Sequence, residues 1–407
     1  MINKNQREKP FSIARNQMKL PLIIWLVFAG NIMAFTEGSL MGYRLTGLGW
    51  FLPLSFAVFM VLMRMDKVKF PILLWLPWIM VVFGYYMNSN YPALQRSVQL
   101  LCPILIGMAV STYRYEEAHM ERILQLSKYL AISLFVIIFF RLGVLVSGML
   151  PPTTGLSGHS MTAILFNIIF ATSYSFGNKI DLRWWWFMAT IPVIAVTRTA
   201  IAVIGLTLPL SWGPMKFSRR FILILIIIIL GFVLFHSPRI QHKSFRTGEG
   251  EMSDVLSKDF SDNARFFMWK NFDEQIKRKP WFGYGAGAGE KFVRQITNDK
   301  SGYPHNDWRL TLYDYGIFGT TIYVLCILSM MIHAYRRSKK SSDKSRLFFL
   351  AGASSFIPFM LLMYTDNIMV YVSFFGNLQF TLLGVAYGAK SRLGASVTTK
   401  KRLKVRW

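Results

Sequence analysis

The feature that most constrains this chain is a series of long, nearly uncharged apolar runs separated by short polar segments. Two examples are ILLWLPWIMVVFGYYM, which ends at Met87, and FILILIIIILGFVLF, which follows Arg220. A helix needs about 20 predominantly apolar residues to cross the hydrocarbon core of a bilayer, and these runs approach that length. Applied to the whole chain, this pattern predicts about twelve transmembrane helices and an all-α polytopic membrane protein.

The positive charge of the chain follows the predicted spans in a regular alternation. The formal net charge is +26, which could by itself indicate a nucleic-acid partner. With the N-terminus inside, however, Lys and Arg concentrate in the inner loops, and the short outer loops carry only Arg44 and Arg198. This asymmetry is the positive-inside rule, so it accounts for the charge without nucleic acid and places both termini in the cytoplasm.

The predicted organisation is one integrated membrane domain with a single large insertion. Residues 1–236 hold the first nine predicted transmembrane helices, residues 237–308 form a large polar loop on the outer side, and residues 309–407 hold the last three helices and a basic cytoplasmic tail. Both cysteines, Cys102 and Cys326, fall inside predicted spans, so we expect no disulfide in the loop. Loops of this kind carry function more often than the elements that they connect.

A short helix is predicted inside the large loop. Ser261 or Asp262 can cap its N-terminus, and Pro280 prevents its continuation. Arg265 lies in its first turn and shares an apolar stripe with Trp269.

A glycine-rich run, GYGAGAG at residues 283–289, follows this predicted helix. It is not preceded by a strand, as a dinucleotide-binding fingerprint would require. A tight turn packed against the spans is the favoured interpretation, and a phosphate cradle made of backbone amides is the alternative.

The segment YPHNDW at residues 303–308 precedes the next predicted span. Since Pro304 marks the start of a helix, His305 or Asn306 lies at or near the N-cap, where the helix dipole disfavours a positively charged imidazolium. A neutral imidazole is a competent general base, so His305 is the candidate catalytic residue. The alternative is a residue that only caps the helix or binds headgroups, and His159, in an outer turn, is the second choice.

Arg198 stands in AVTRTAIAV, between two short apolar segments. Arginine at membrane depth is costly and usually functional, although it can also snorkel to the interface. Arg198 and Arg265 could together hold a pyrophosphate without a metal, and the sequence contains no DxD or HExxH motif, so we expect no metal and no other cofactor. Arg96 and Arg141, in or at the outer ends of spans, could enlarge this basic pocket or only anchor their helices.

Three segments in this order resemble the O-antigen polymerase and O-antigen ligase superfamily: VTRTA at 196–200, DNARFFMWKNFDEQIKRKPWFGYGAG at 262–287 and YPHNDWRLTLYDYGIFGT at 303–320. The resemblance implies a membrane fold of the GT-C type in the bacterial inner membrane, with short helices in a periplasmic loop that covers a cavity. It also implies a donor glycan linked to undecaprenyl pyrophosphate and a reaction without metal. By similarity, Arg198 and Arg265 bind the donor pyrophosphate, and His305 deprotonates the acceptor hydroxyl, with inversion at the anomeric carbon.

The superfamily covers two reactions, which differ in their acceptor. A polymerase extends a glycan on its lipid carrier, whereas a ligase moves the finished glycan to lipid A core. The loop is close to balanced in charge, which slightly favours the polymerase because a phosphorylated core would call for more positive charge. A transporter or flippase for lipid-linked glycans is a second alternative, but paired halves with similar interrupted helices are not evident.

Overall fold

The chain is helical almost throughout in the computed structural model. The structure describes residues 19–36, 39–40, 43–86, 91–146, 157–251, 253–254, 265–299 and 301–389. Within these ranges the only sheet is an antiparallel hairpin, in which Ser39–Leu40 (β1) pairs with Tyr43–Arg44 (β2). The expected all-α class is therefore confirmed.

The helices before the large loop follow one another with short connections. In chain order they are α1 (Leu22–Phe35), α2 (Leu45–Met63), α3 (Leu76–Tyr86), α4 (Tyr91–Ser111), α5 (Glu117–Val146), α6 (Ser157–Ser175), α7 (Asp181–Ile194), α8 (Arg198–Thr207) and α9 (Phe217–Phe235), with 3-10 turns at Met65–Lys67 and Ile72–Leu74.

The large loop and the last part of the chain are also built from helices. The loop helices are α10 (Pro238–Ser244), α11 (Arg265–Arg278) and α12 (Ala288–Thr297), and they are followed by α13 (Asp307–Ser338), α14 (Asp343–Ser354), α15 (Phe356–Leu362) and α16 (Gly376–Gly388). Helix α11 ends just before Pro280, as expected, whereas its predicted cap at Ser261 or Asp262 lies outside the described residues.

Several helices are suited to a membrane by length and composition. Among the described residues, six are long and apolar enough to cross it: α2, α4 from Ala93, α5 up to Phe140, α9, α13 and the continuous stretch from α14 through α15. Helix α9 has no buried residue and a strongly apolar surface, as is typical of a helix that faces lipid. The protein is thus a polytopic membrane protein, and the total of about twelve spans and the GT-C type stay predictions.

Close helix packing forms the interior of the membrane part. Helix α16 packs along α4, and α1 packs along α2. Gly30 and Gly49 face each other across the second pair, because a Cβ atom on either residue would collide with the backbone carbonyl oxygen of the other. Small residues at such positions let two membrane helices approach closely.

The large loop has a small apolar core of its own, which fixes it to the start of α13. Met268, Trp269 and Phe272 from α11 are buried against Val293 from α12 and Leu310 from α13. Helices α11 and α12 are therefore packed against the N-terminal part of α13.

Candidate active site

His305 lies two residues before helix α13 begins. The N-cap is Asn306, whose side-chain oxygen accepts a hydrogen bond from the backbone N–H of Arg309 at 2.9 Å. This confirms that the segment forms a helix cap. His305 itself has a φ of 51°, in the left-handed region that is uncommon for non-glycine residues. Such a conformation is strained and persists only where the surrounding structure stabilises it.

The imidazole of His305 is oriented by the segment that follows α15. Its Nδ1 atom lies 3.2 Å from the amide nitrogen of Asn367 and 3.8 Å from a carboxylate oxygen of Asp366. The side chain is 38% exposed, whereas that of Asp366 is 14% exposed. One edge of the ring is thus fixed by the protein, and the ring remains accessible to a substrate.

A buried ion pair is formed by Asp307, two residues after His305 in the chain. The guanidinium of Arg96 on α4 lies 3.6 Å from the carboxylate of Asp307, and the two side chains are 4% and 0% exposed. Asp307 also accepts a hydrogen bond from the backbone N–H of Met369 at 2.6 Å and donates its own N–H to the carbonyl oxygen of Met363 at 2.7 Å. Arg96 therefore ties α4 to the start of α13, and its burial favours the anchoring interpretation over direct contact with substrate.

Arg198 is the first residue of α8, directly after an interruption between α7 and α8. Each of these helices is shorter than the roughly 20 residues needed to cross a bilayer. Within the interruption, Val196 has a φ of 48°, which is unusual for a β-branched residue. Thr197 accepts a hydrogen bond from Ser160 at the start of α6, at 3.3 Å.

Lys243 on α10 contacts the backbone between α7 and α8 and lies near two of the predicted site residues, Arg198 and Arg265. Its ammonium group donates a hydrogen bond to the carbonyl oxygen of Val196 at 2.6 Å. Although much of the side chain is exposed, partial desolvation of the ammonium lowers the pKa of Lys243, and the positive charges of Arg198 and Arg265 lower that pKa further. The charges of Arg198 and Arg265 thus both act on the ammonium of Lys243, and an anion bound beside Lys243 would offset their repulsion.

Arg265 is linked to His305 through Trp269. The indole N–H of Trp269 donates to the carbonyl oxygen of Pro304 at 2.9 Å, directly before His305 in the chain. Arg265 precedes Trp269 by four residues on α11, and side chains at this spacing lie about 5–6 Å apart on one helix face. Arg265 is therefore connected to Arg198 through Lys243 and to the segment of His305 through Trp269, while the roles of the three residues stay predictions.

The remaining predicted residues do not join this group in the same way. His159 is 1% exposed, and its ring lies 4.2 Å from that of Phe35 in the protein interior. Asn306 is buried and caps α13. Arg141 lies on α5, but its side chain is outside the described part of the chain.

The glycine-rich run closes a second helix interruption, at Gly316 of α13, where φ is 66°. A regular helix would bond the N–H groups of residues 317 and 318 to the carbonyl groups of residues 313 and 314. Here these N–H groups donate instead to the carbonyl oxygens of Pro280 and Trp281, at 2.7 and 3.0 Å. The carbonyl oxygens of residues 313 and 314 accept from the N–H groups of Tyr284 and Gly285, at 2.8 and 2.9 Å.

The amides of this run are already occupied by a carboxylate of the protein. Gly287 and Gly289 donate their backbone N–H groups to the side chain of Asp314, at 3.1 and 2.7 Å. The run is therefore a tight turn packed against a span, as favoured from the sequence. In this arrangement, Asp314 takes the place that a phosphate would have in the alternative.

Two features of the site are missing from the sequence interpretation. Lys243 is one of many basic residues in the loop, and no local pattern distinguishes it from the others. Asp366 and Asn367 lie in a short polar interruption between apolar segments, far from His305 in the chain. An Asp-Asn pair between two predicted spans was a visible signal, but only the fold shows which histidine it faces.

A comparison with protein families provides evidence that is independent of these contacts. Residues 185–324 match the family model described as O-Antigen ligase. The matched region begins in α7 and ends within α13, so it includes Arg198, Lys243, Arg265 and His305. No curated protein matches the chain. Over residues 185–324 the chain is thus similar to the O-antigen ligase family, which supports the resemblance to the O-antigen polymerase and ligase superfamily.

Proposed function

We propose that this protein is a metal-independent, inverting glycosyltransferase that acts at the periplasmic face of the bacterial inner membrane. Its donor is a glycan linked to undecaprenyl pyrophosphate. The observation that carries the proposal is that Arg198 and Arg265 act electrostatically on Lys243, which is hydrogen-bonded to Val196. A partly exposed histidine, His305, whose ring faces a carboxylate supplies the candidate base.

The three cations have the chemistry to bind a pyrophosphate. Two guanidinium groups can each form paired hydrogen bonds to phosphate oxygens, and the ammonium of Lys243 adds a compact point charge. Because desolvation and the charges of Arg198 and Arg265 lower the pKa of Lys243, a bound anion would stabilise its ammonium form. The three cations also stabilise the negative charge that the leaving group acquires during transfer, which supports a reaction without a metal.

In the proposed reaction, His305 takes up the proton. The imidazole accepts the proton of an acceptor hydroxyl, and the hydroxyl oxygen forms a bond to the anomeric carbon of the donor sugar. The bond between that carbon and the pyrophosphate oxygen breaks, and undecaprenyl pyrophosphate leaves with the electron pair. Attack opposite the leaving group inverts the configuration of the anomeric carbon.

This step requires a particular tautomer of His305. For Nε2 to accept the proton, Nδ1 has to carry a hydrogen and face an oxygen atom. Asp366 provides a carboxylate oxygen 3.8 Å from Nδ1, and rotation of the Asn367 amide would present its oxygen instead of its nitrogen. Asp366 therefore acts as a positioning residue that orients the base, and its charge stabilises the imidazolium that forms.

The acceptor that we favour is a second lipid-linked glycan, which makes the protein a polymerase. The near balance of charge in residues 237–308 supports this choice over a heavily phosphorylated acceptor. Transfer to lipid A core is the second candidate, because the matched family model is described as O-Antigen ligase.

The experiment is product analysis with the purified protein in lipid nanodiscs. We supply the lipid-pyrophosphate glycan either alone or with lipid A core and separate the products by mass. Chain extension without core identifies a polymerase, whereas a product that forms only with core identifies a ligase.

The same assay tests the base. We expect His305→Ala to lower the transfer rate by about 10²–10⁴, the range for loss of a general base. His236→Ala is the matched control, because His236 is an exposed histidine at the C-terminal end of α9. Unchanged product yield from the His305 variant would remove it as the base.

A further inference from the structure

A second feature of the molecule is an apolar groove of about 730 Å³ between α3, the glycine-rich turn and α13. Its walls include Met80, Gly84, Phe282, Tyr284 and Phe318. None of the residues that form the candidate active site lines it. It therefore requires an explanation of its own.

Large apolar side chains in the wall of the groove are exposed. Met80 is 66% exposed on α3, Phe282 is 65% exposed on the turn, and Phe318 is 50% exposed on α13. In a polytopic membrane protein, large apolar side chains with this exposure on membrane-depth helices face the hydrocarbon of the lipid. The groove thus offers a concave surface for a hydrocarbon chain.

The loop end of the groove carries a positive charge. The ammonium group of Lys279 lies 4.9 Å from the centre of the Tyr284 ring, which is part of the groove wall. A lipid with its chain in the groove would bring its headgroup to this level. A phosphate group on that lipid would be attracted to Lys279.

The groove is too far from the cationic cluster, which consists of Arg198, Lys243 and Arg265, for both to hold the same lipid phosphate. Helix α11 begins at Arg265, in the cationic cluster, and ends at Arg278, next to Lys279. At 1.5 Å per residue, a helix of this length spans about 20 Å. Two anionic lipids can therefore be bound at once, one at each end of α11.

We propose that this groove binds the polyprenyl chain of the lipid-linked acceptor glycan. The inference rests on the proposed function, in which the donor pyrophosphate occupies the cluster of Arg198, Lys243 and Arg265. An acceptor that reacts at a sugar remote from its lipid needs its lipid anchored at a distance from the base. The segment of His305 contacts α11 at Trp269, nine residues before Arg278, and the resulting separation of about 14 Å along the helix fits an oligosaccharide between lipid and reacting hydroxyl.

The chain offers a matched pair of glycines for the test. Gly84 lines the groove, and a Cβ atom at this position would meet no atom within 4 Å. Gly84→Trp should therefore fill the groove without displacing the protein. Gly231→Trp is the control, because Gly231 also has nothing within 4 Å but lies on α9, away from the groove.

The probe is a glycan repeat unit linked to polyprenyl monophosphate, with a diazirine in the polyprenyl chain. This compound can accept a glycan but lacks the pyrophosphate leaving group of a donor. In nanodiscs, we expect light to cross-link it to residues 77–86 and 318–322, and we expect Gly84→Trp but not Gly231→Trp to abolish this labelling. Labelling elsewhere, or labelling that phospholipid or lipid A displaces as well as polyprenyl phosphate does, would overturn the proposal.

Kinetics give a second readout. Loss of burial for two methylene groups or more corresponds to an increase of about tenfold or more in the KM for the acceptor probe. The KM for the donor should be unchanged in Gly84→Trp, and an unchanged acceptor KM would also count against the groove. Because cross-linking needs no turnover and can be repeated with His305→Ala, failure of the groove is distinguishable from failure of the proposed reaction.

Discussion

Two apolar helices are interrupted near the large loop, and the two interruptions are closed in opposite ways. At Gly316 of α13, the freed backbone groups pair with the backbone of residues 280–285, and nearby glycine amides bind Asp314. Between α7 and α8, a carbonyl of the interruption is bound by the ammonium of Lys243, and Arg198 starts the next helix.

This difference separates a structural interruption from a functional one. Broken helices are tolerated at membrane depth only where the freed backbone groups find partners or line a cavity. At Gly316 the freed backbone groups pair with neutral backbone groups, and the nearby glycine amides bind the carboxylate of Asp314. This interruption therefore needs no external anion. Cationic side chains satisfy the interruption before Arg198 but add positive charge, which an anionic ligand can neutralise. We therefore expect changes at Gly316 to affect stability and changes around Arg198 to affect substrate binding and catalysis.

Arg198→Ala provides the strongest contrast. We expect the transfer rate to fall by about 10²–10³, the effect of removing one preorganised donor to developing negative charge. The thermal unfolding midpoint in detergent should stay close to that of the wild type. Arg278→Ala, an exposed arginine at the end of α11, is the control. A large loss of stability in Arg198→Ala with normal activity per folded molecule would reverse the comparison.

Gly283→Ala tests the other interruption. Gly283 has a φ of 68°, and a Cβ atom there would lie 2.5 Å from the carbonyl oxygen of Tyr313. We expect a loss of about 2–4 kcal/mol in the free energy of unfolding, because strain and overlap combine. Gly285→Ala is the control with positive φ but no atom within 4 Å, and it should cost only about 1 kcal/mol. Equal thermal midpoints for the two variants would show that the contact with Tyr313 is unimportant.

Lys243→Met should have a smaller effect, which we expect only on the affinity for the donor. Loss of one charge-assisted contact corresponds to an affinity for the lipid-pyrophosphate donor that is about tenfold lower. Arg239→Met is the matched control, since Arg239 is an exposed cation on the same helix. Donor binding that is equal in the two variants would exclude Lys243 from the pyrophosphate site.

The smallest expected effect is a dependence on pH in the alkaline range. Desolvation and the charges of Arg198 and Arg265 lower the pKa of Lys243, so its ammonium loses a proton earlier than an ordinary lysine as pH rises. Initial donor capture should therefore weaken toward alkaline pH in the wild type. Lys243→Arg stays charged and should flatten this decrease, and an identical alkaline profile in both proteins would contradict the assignment.

The sequence was sufficient to predict the parts of the site that depend on local patterns. Pro304 and Asn306 predicted the start of α13, and Pro280 predicted the end of α11, whereas the assignment of the loop to the outer side from the alternation of charge stays a prediction. The interruption at Gly316 was not predicted, because a glycine inside an apolar run is compatible with an ordinary helix and its positive φ is visible only in the fold.

Residues whose roles depend on long-range contacts were the ones that sequence interpretation missed or left open. Arg96 was an open case until its ion pair with Asp307 showed a buried anchor. Lys243 and Asp366 approach Val196 and His305 across large separations in the chain. Such pairs have no periodicity or spacing that a single sequence can display.

In the proposed function, Arg198, Lys243 and Arg265 bind the donor, and His305 transfers the proton. To separate these roles, donor binding and glycan transfer are measured on the same preparation of His305→Ala in nanodiscs. We expect wild-type affinity for the lipid-pyrophosphate donor together with a transfer rate lower by about 10²–10⁴. Transfer at the wild-type rate, or loss of donor binding in this variant, would contradict this assignment of roles.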